Sequence, residues 1–317
     1  MRRQTLKVPG NILLLGEYAI LEEGGLGIAM AVDRNIAFHV EESDSFKIIG
    51  DHGDRQTHWK PEEPDSDTFL KAIYETIIET LSDDGLVQRI QKCKITIDSS
   101  SHHSPTGKKY GFGSSAVIAS GLTKLVFKLA EMQKDKAFHF NLALQCHRRA
   151  QGNHGSGYDV AASVNGGIGL FHGGENPTWE PIHLPWLPRG YLIPGPESVS
   201  TVSAVKKYHQ FKAANKRETE RFYAFSNSSI EHFMKADNWE TAAEIIGSYQ
   251  LESVQFQKKL GIDASTNTIS NKLPGNKKYI VKSLGAGNEL FSVWGIAAAD
   301  LKSTIPIHLS LSGPEWM

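Results

Sequence analysis

The chain has 317 residues, 40% hydrophobic and 22% charged, and its 34 Lys and Arg nearly balance 35 Asp and Glu, for a formal net charge of −1. That balance excludes a generally basic surface for nucleic acid or an acidic membrane, so an anionic ligand has to be met by local clusters. The two cysteines, Cys93 and Cys146, are too few for a disulfide framework or a cysteine-based zinc site and are expected as small buried hydrophobes.

The length suggests one large or two ordinary domains. Arg2 and Arg3 precede a short apolar run, Ile12 to Leu15, which is followed by Glu17 and does not have the pattern of a signal peptide. No apolar stretch approaches the ~20 residues of a membrane span, so a cytoplasmic protein is expected. Residues 6–18 are apolar and β-like, punctuated by a Pro9-Gly10 turn, and leave Glu17 and Tyr18 able to face a ligand. Alternation at Ile36, Phe38 and Val40, and at Cys93, Ile95 and Ile97, predicts two half-buried strands. Between them, residues 51–67 are polar and proline-bearing and read as a surface loop. Phe69, Leu70, Ile73, Ile77 and Leu81 mark an amphipathic helix.

Residues 99–106 form a Ser-rich loop in which adjacent His102 and His103 lack the geometry of a closed metal site. Next comes GKKYGFGSSAVIASGLTKLVFKLA, residues 107–130. A small-residue loop, Gly111-Phe112-Gly113-Ser114-Ser115, runs into a helix with Val117, Leu122, Leu125, Val126 and Leu129 on one face. Ser114 or Ser115 is the expected N-cap. Glycines before a helix start let backbone N–H groups approach an anion, and the helix dipole favours negative charge there. Lys108 and Lys109 add positive charge nearby, which completes a phosphate cradle. Gly111-x-Gly113-x-x-Ala116 also fits the dinucleotide fingerprint, but the acid at the required distance, Glu131, lies at the helix end and is followed by more helix. The nucleotide P-loop pattern occurs nowhere in the chain.

Another helix, residues 141–151, ends in His147-Arg148-Arg149. Gly152, Gly155 and Gly157 then make a tight turn, and Asp159 stands at the start of a small-residue helix. An acid there is ordinarily a cap or first-turn residue. The cations upstream and the other glycine loop argue for a larger role. A strand follows at 166–172. Prolines 177, 181, 185, 188 and 194 mark a boundary region. Beyond it, a helix begins within 200–207, two long helices occupy 216–235 and 239–260, and strands are expected at 279–282 and 305–311. A third glycine turn, Ser283-Leu284-Gly285-Ala286-Gly287, lies between those strands.

Three of these pieces, taken in order, resemble the three motifs of the GHMP small-molecule kinases. They are Pro9-Gly10 through Gly16-Glu17-Tyr18-Ala19-Ile20-Leu21, the Gly-Phe-Gly-Ser-Ser-Ala loop at 111–116, and Gly285-Ala286-Gly287. Ala150-Gln151-Gly152 together with Gly155-Ser156-Gly157-Tyr158-Asp159-Val160-Ala161-Ala162 looks most like the phosphomevalonate kinase branch. The resemblance implies an α/β (α+β) fold of two domains with a cleft between them. The first, at 1–185, would be ribosomal-protein-S5-like and bind ATP; the second, at 186–317, would be ferredoxin-like and bind substrate. It also implies ATP and Mg²⁺, and transfer of the γ-phosphoryl group to (R)-5-phosphomevalonate by a monomer or homodimer.

Carried over residue by residue, the resemblance gives Gly111, Gly113, Ser114 and Ser115, with Lys108, to the ATP phosphates, and the Ser115 hydroxyl to Mg²⁺. Asp159 takes the place of the catalytic aspartate. Asn11, Glu17, Tyr18, Arg148, Ser156, Gly157, Ser283, Gly285, Ala286 and Gly287 fall to the substrate. Arg148, Arg149, His154, Lys108 and Lys282 are the cations nearest these motifs. The chain differs from the family pattern at Asn11, where a lysine is usual, and at Asn288-Glu289 after the third motif. Arg148 stands where mevalonate kinases keep a Mg²⁺-binding glutamate. Another acceptor within the family, the related diphosphomevalonate decarboxylase chemistry, and a non-catalytic ligand-binding protein are the alternatives.

Overall fold

The computed structural model describes residues 3–51, 56–81, 84–104, 107–195, 201–267, 279–285, 287, 289–295 and 304–317. In chain order its elements begin with β1 (Gln4–Leu15), β2 (Leu26–Glu42), β3 (Lys47–Asp51), β4 (Gln56–Trp59), α1 (Thr68–Leu81), α2 (Asp84–Ile90) and β5 (Cys93–Asp98). They continue with α3 (Ser114–Leu129), α4 (Lys136–Ala150), α5 (Tyr158–Asn165), β6 (Ile168–His172), β7 (Thr178–Ile182) and β8 (Gly190–Pro194). The last are α6 (Thr201–Ala214), α7 (Lys216–Met234), α8 (Trp239–Lys259), β9 (Ile280–Leu284), β10 (Leu290–Trp294), β11 (Ile305–Pro306) and β12 (Glu315–Trp316). No described helix is long and apolar enough to cross a membrane.

The chain forms two compact units, one of residues 1–11, 31–167 and 310–317, the other of residues 12–30 and 168–309. In the first, strands run in the order β12-β1-β2-β5-β3-β4, with β3 parallel to β5. Inward side chains of these strands, among them Phe38, Val40, Ile48 and Ile95, share one core with Ile73 and Ile77 of α1 and Val117, Leu125 and Val126 of α3. Both cysteines are buried and free, and burial pushes the Cys146 thiol up to about 12.

Two histidines of this unit sit inside it as neutral rings. His139 Nε2 lies 2.8 Å from the Ser120 carbonyl and His102 Nε2 lies 2.9 Å from that of Arg34. Burial is the main cause that lowers both pKa values from 6.5 to about 4. Between those values the unfolded chain binds more protons than the folded one. Stability is therefore complete above pH 6.5 and declines as the pH falls towards 4, by up to about 3 kcal/mol per histidine. Urea midpoints measured from pH 7 down to pH 5 should show this decline, and it should shrink in a His102→Gln/His139→Gln double variant. A double variant with the wild-type pH dependence would contradict it.

In the second unit, β6 pairs antiparallel with β7 and with residues 26–30 of β2. A separate four-stranded sheet has the order β11-β8-β10-β9. α8 packs against both α7 and β9. Tyr18 has φ of 64°, a conformation rare for a bulky residue. It is held by stacking on Tyr208 at 5.6 Å and by an edge contact with Phe256 at 6.2 Å.

Several sequence expectations need correction. Pro9-Gly10 makes no turn, since β1 is continuous through it. The supposed loop at 51–67 contains β4, whose Trp59 is buried against Phe46 and Tyr74. Its polar outward residues, Gln56 and His58, hid that strand. The proline-rich stretch contains β7 and β8. Pro181 is tolerated because β7 pairs only with β6 among the described strands, which leaves the other edge without a ladder. At 305–311 only Ile305–Pro306 is strand. His102 is the buried end of a 3₁₀ turn, Ser100–His102, rather than part of a plain loop.

Candidate active site

The first unit brings α3, α4 and α5 into mutual contact, and the N-terminal ends of α3 and α5 carry the predicted chemistry. Neither serine caps α3. The N-cap is Gly113, left-handed at φ of 67°, and no side chain caps the helix. Glycine is required there twice over, by the backbone conformation and because a Cβ would overlap the Asn11 carboxamide. α5 starts in the same way, from Gly157 at φ of 95°, where a Cβ would meet Leu144. Each helix therefore begins without a side-chain cap at the positive end of its dipole, and in α5 the first-turn Val160 N–H is taken by Asp159.

Ser115 in α3 and Asp159 in α5 meet through a residue that the motif analysis left without a role, His147 of α4. His147 Nε2 is 3.1 Å from Ser115 Oγ and 3.8 Å from Asp159 Oδ2. Gln151, the C-cap of α4 one turn later, places its Nε2 3.1 Å from Ser115 Oγ and 3.2 Å from the same ring nitrogen. Asp159 Oδ1 accepts the Val160 N–H at 2.9 Å, and the carboxylate side chain remains 19% exposed. The i, i+4 spacing of His147 and Gln151 is the signal that could have found this pair, since it places both on one helix face.

Asn11 is buried at the base of the loop. Its amide nitrogen donates to Ser163 Oγ at 3.1 Å, its backbone N–H bonds the Phe112 carbonyl, and Oδ1 has no partner. Lys7, the lysine nearest Asn11 in sequence, is exposed and lies four residues back along β1, about 13 Å at strand rise. Arg148 donates through Nε to the Gly155 carbonyl and through Nη2 to the Ser156 carbonyl, both at 3.2 Å, so it braces the turn leading to Asp159. Arg149 points to α1, where it pairs with Glu75 and Glu79. Lys108 is half-buried, and His154 is exposed on the glycine turn.

The remaining predicted residues lie in the second unit, and several turn inward. Glu17 is fully buried and forms an ion pair with Lys282, whose ammonium also donates to the Ser283 carbonyl at 2.8 Å. Burial raises the Glu17 pKa and lowers that of Lys282, and each partner offsets part of the other's shift. Ser283 is buried too, with its backbone N–H and hydroxyl both bonded to the Gln250 side chain. Lys282 is thus committed to a carboxylate rather than offered to an anionic ligand. Gly285 and Gly287 lie in the turn between β9 and β10. Ala286 and Asn288 lie outside the described residues.

Among known proteins, residues 68–167 match the family model of the GHMP kinases N terminal domain. The chain thus carries a GHMP kinase N-terminal domain, and its mixed α/β architecture is the GHMP kinase fold. It is 27% identical over 175 residues to the phosphomevalonate kinase of Streptomyces sp. (strain CL190), covering 50% of this chain and 46% of that protein. To the phosphomevalonate kinase of Saccharolobus solfataricus it is 26% identical over 166 residues, 51% of this chain and 47% of that one. The matched region thus spans about half the length of these curated relatives. A Streptococcus pneumoniae phosphomevalonate kinase crystallised with phosphomevalonate and AMPPNP superimposes with a TM-score of 0.75 at 18% identity, over 99% of each chain. The Lin0012 protein from Listeria innocua gives 0.79 at 19% identity, over 100% of this chain and 99% of the other.

Proposed function

We propose that this protein is an ATP-dependent phosphomevalonate kinase, transferring the γ-phosphoryl group of ATP to the phosphate of (R)-5-phosphomevalonate. The observation that carries this reading is the convergence of Ser115 and Asp159, each in the first turn of a glycine-led helix without a side-chain cap, on one buried ring nitrogen. The 27% and 26% identities to phosphomevalonate kinases support the choice of acceptor.

The residues fit the cofactors. Gly113 starts α3 with no side chain over its N-terminus, and the amides that follow it suit phosphate oxygens. The Ser115 hydroxyl is a hard oxygen donor of the kind Mg²⁺ takes. Among the described residues no three His, Cys, Asp or Glu side chains come together as a metal cage, so phosphates and water would fill the remaining positions. When bound, ATP supplies the transferable group, and Mg²⁺ neutralises charge on its phosphate oxygens.

The protein's part is to position and to balance charge. Amides at the start of α3 would hold the phosphates, and Ser115 Oγ would offer a lone pair to the ion. Asp159 aligns the acceptor oxygen. A phosphate monoester has a second pKa near 6 and is largely ionised at neutral pH, so alignment outweighs proton removal. Arg148 keeps the turn before Asp159 in shape through two carbonyls.

Asn11 favours a second reading, a different acceptor on the same fold, because it brings no cation to the base of the loop. Coupled ADP release with phosphomevalonate, mevalonate and homoserine, together with an assay for CO₂ from diphosphomevalonate, tests both. Turnover should be confined to phosphomevalonate; none on that substrate ends the proposal.

A further inference from the structure

We infer that His147 is a positioning residue of this site, and that its Nε2 atom sets the Ser115 hydroxyl and the Asp159 carboxylate in register. The expected kinetics rest on the kinase proposal; the structural consequence does not. His147 belongs to the last turn of α4, between the helices that carry the two functional side chains. It is 3% exposed, so almost every polar contact of its ring has to come from the protein.

The two ring nitrogens are in opposite situations. Nδ1 is buried without a hydrogen-bond partner. Nε2 has three polar neighbours: Ser115 Oγ at 3.1 Å, Gln151 Nε2 at 3.2 Å and Asp159 Oδ2 at 3.8 Å. An orphaned buried polar atom is costly, and an apolar side chain of similar volume would avoid that cost. A ring retained only to fill space would therefore do better as leucine or phenylalanine. What histidine adds is one polar atom aimed at two oxygens from different helices. The Gln151 side-chain amide packs against the same nitrogen at 3.2 Å and bonds the same hydroxyl at 3.1 Å.

The Nε2–Ser115 contact is a hydrogen bond, whereas the Nε2–Asp159 contact is beyond that distance and orients by charge and dipole. Neither needs a proton to change hands. An amide nitrogen at the same point would therefore serve, and this separates positioning from acid–base chemistry. Glutamine carries its amide nitrogen near the location of Nε2, whereas asparagine carries it near that of Nδ1.

The test uses His147→Gln, His147→Asn and His147→Leu in the full chain. With ATP and phosphomevalonate, His147→Gln should keep kcat within about 5-fold of wild type. His147→Asn and His147→Leu should lose about 100-fold in kcat, the scale of a 1 Å misplacement, with little change in either KM. Crystal structures of the three should show the Ser115 and Asp159 side chains held in the glutamine variant and displaced in the other two. A leucine variant as active as wild type overturns the inference, as does a glutamine variant as impaired as the leucine one. If the wild type turns over no acceptor, the kinase proposal falls, and the crystal structures still decide. Ser115 and Asp159 undisturbed in His147→Leu would then refute the role of His147.

Discussion

Replacing Asp159 with alanine is expected to lower kcat for phosphomevalonate by two or more orders of magnitude while leaving affinity for AMPPNP nearly unchanged. A positioned acid–base group contributes about 10²–10⁴-fold. Asp159 is placed to act in this way because its two oxygens are divided in use. Oδ1 is tied to the Val160 N–H of its own helix, and Oδ2 points towards His147 on a side chain that solvent still reaches. The substitution removes the carboxylate without touching the α3 amides proposed to hold the nucleotide, so binding and turnover should separate. Asp159→Asn keeps the shape and one oxygen, and should fall between alanine and wild type if alignment is the larger part of its work. Steady-state kinetics paired with calorimetric titration read both quantities. Wild-type kinetics in Asp159→Ala would remove this residue from the chemistry.

The second large effect concerns stability. Lys282→Met should destabilise the protein by about 3–5 kcal/mol, since removing one partner of a buried pair leaves the other charge uncompensated. Glu17 has nowhere to turn, because it is buried and its Oε2 already lacks a hydrogen-bond partner. The ammonium is also enclosed, 5.3 Å above the Tyr249 ring, whose hydroxyl accepts the Gly16 N–H at 3.0 Å. Loss of the pair therefore disturbs the segment before Glu17 as well as β9. A Glu17→Gln/Lys282→Met double variant should recover much of the loss, because it removes both charges together. Urea unfolding of the two variants beside wild type measures this. A single variant within 1 kcal/mol of wild type, or a double variant worse than the single one, would contradict it.

What could be read from the sequence followed the range of the interactions involved. α1 and α3 carry their apolar residues at helical spacing, and α7 and α8 their long helical pattern, so local pattern suffices for them. Strand β4 failed that test, because only Trp59 of its four residues is buried and the partner strand fixes its conformation. The N-cap of α3 was misassigned because Ser114 and Ser115 are good caps in isolation. The deciding contact is with Asn11, more than a hundred residues earlier. Lys282 looked like a cation for ligand binding, yet it is paired with Glu17, 265 positions away, and no local pattern announces that. The motifs located Ser115 and Asp159 but not the histidine joining them, which the sequence shows only as one member of a basic run.

A crystal structure of the protein with AMPPNP and Mg²⁺ bears most directly on the account. It should show the triphosphate lying on the backbone amides at the beginning of α3, the ion in contact with the Ser115 hydroxyl, and the Asp159 carboxylate facing the terminal phosphate. A nucleotide bound elsewhere, or a terminal phosphate that Asp159 cannot reach, would contradict it.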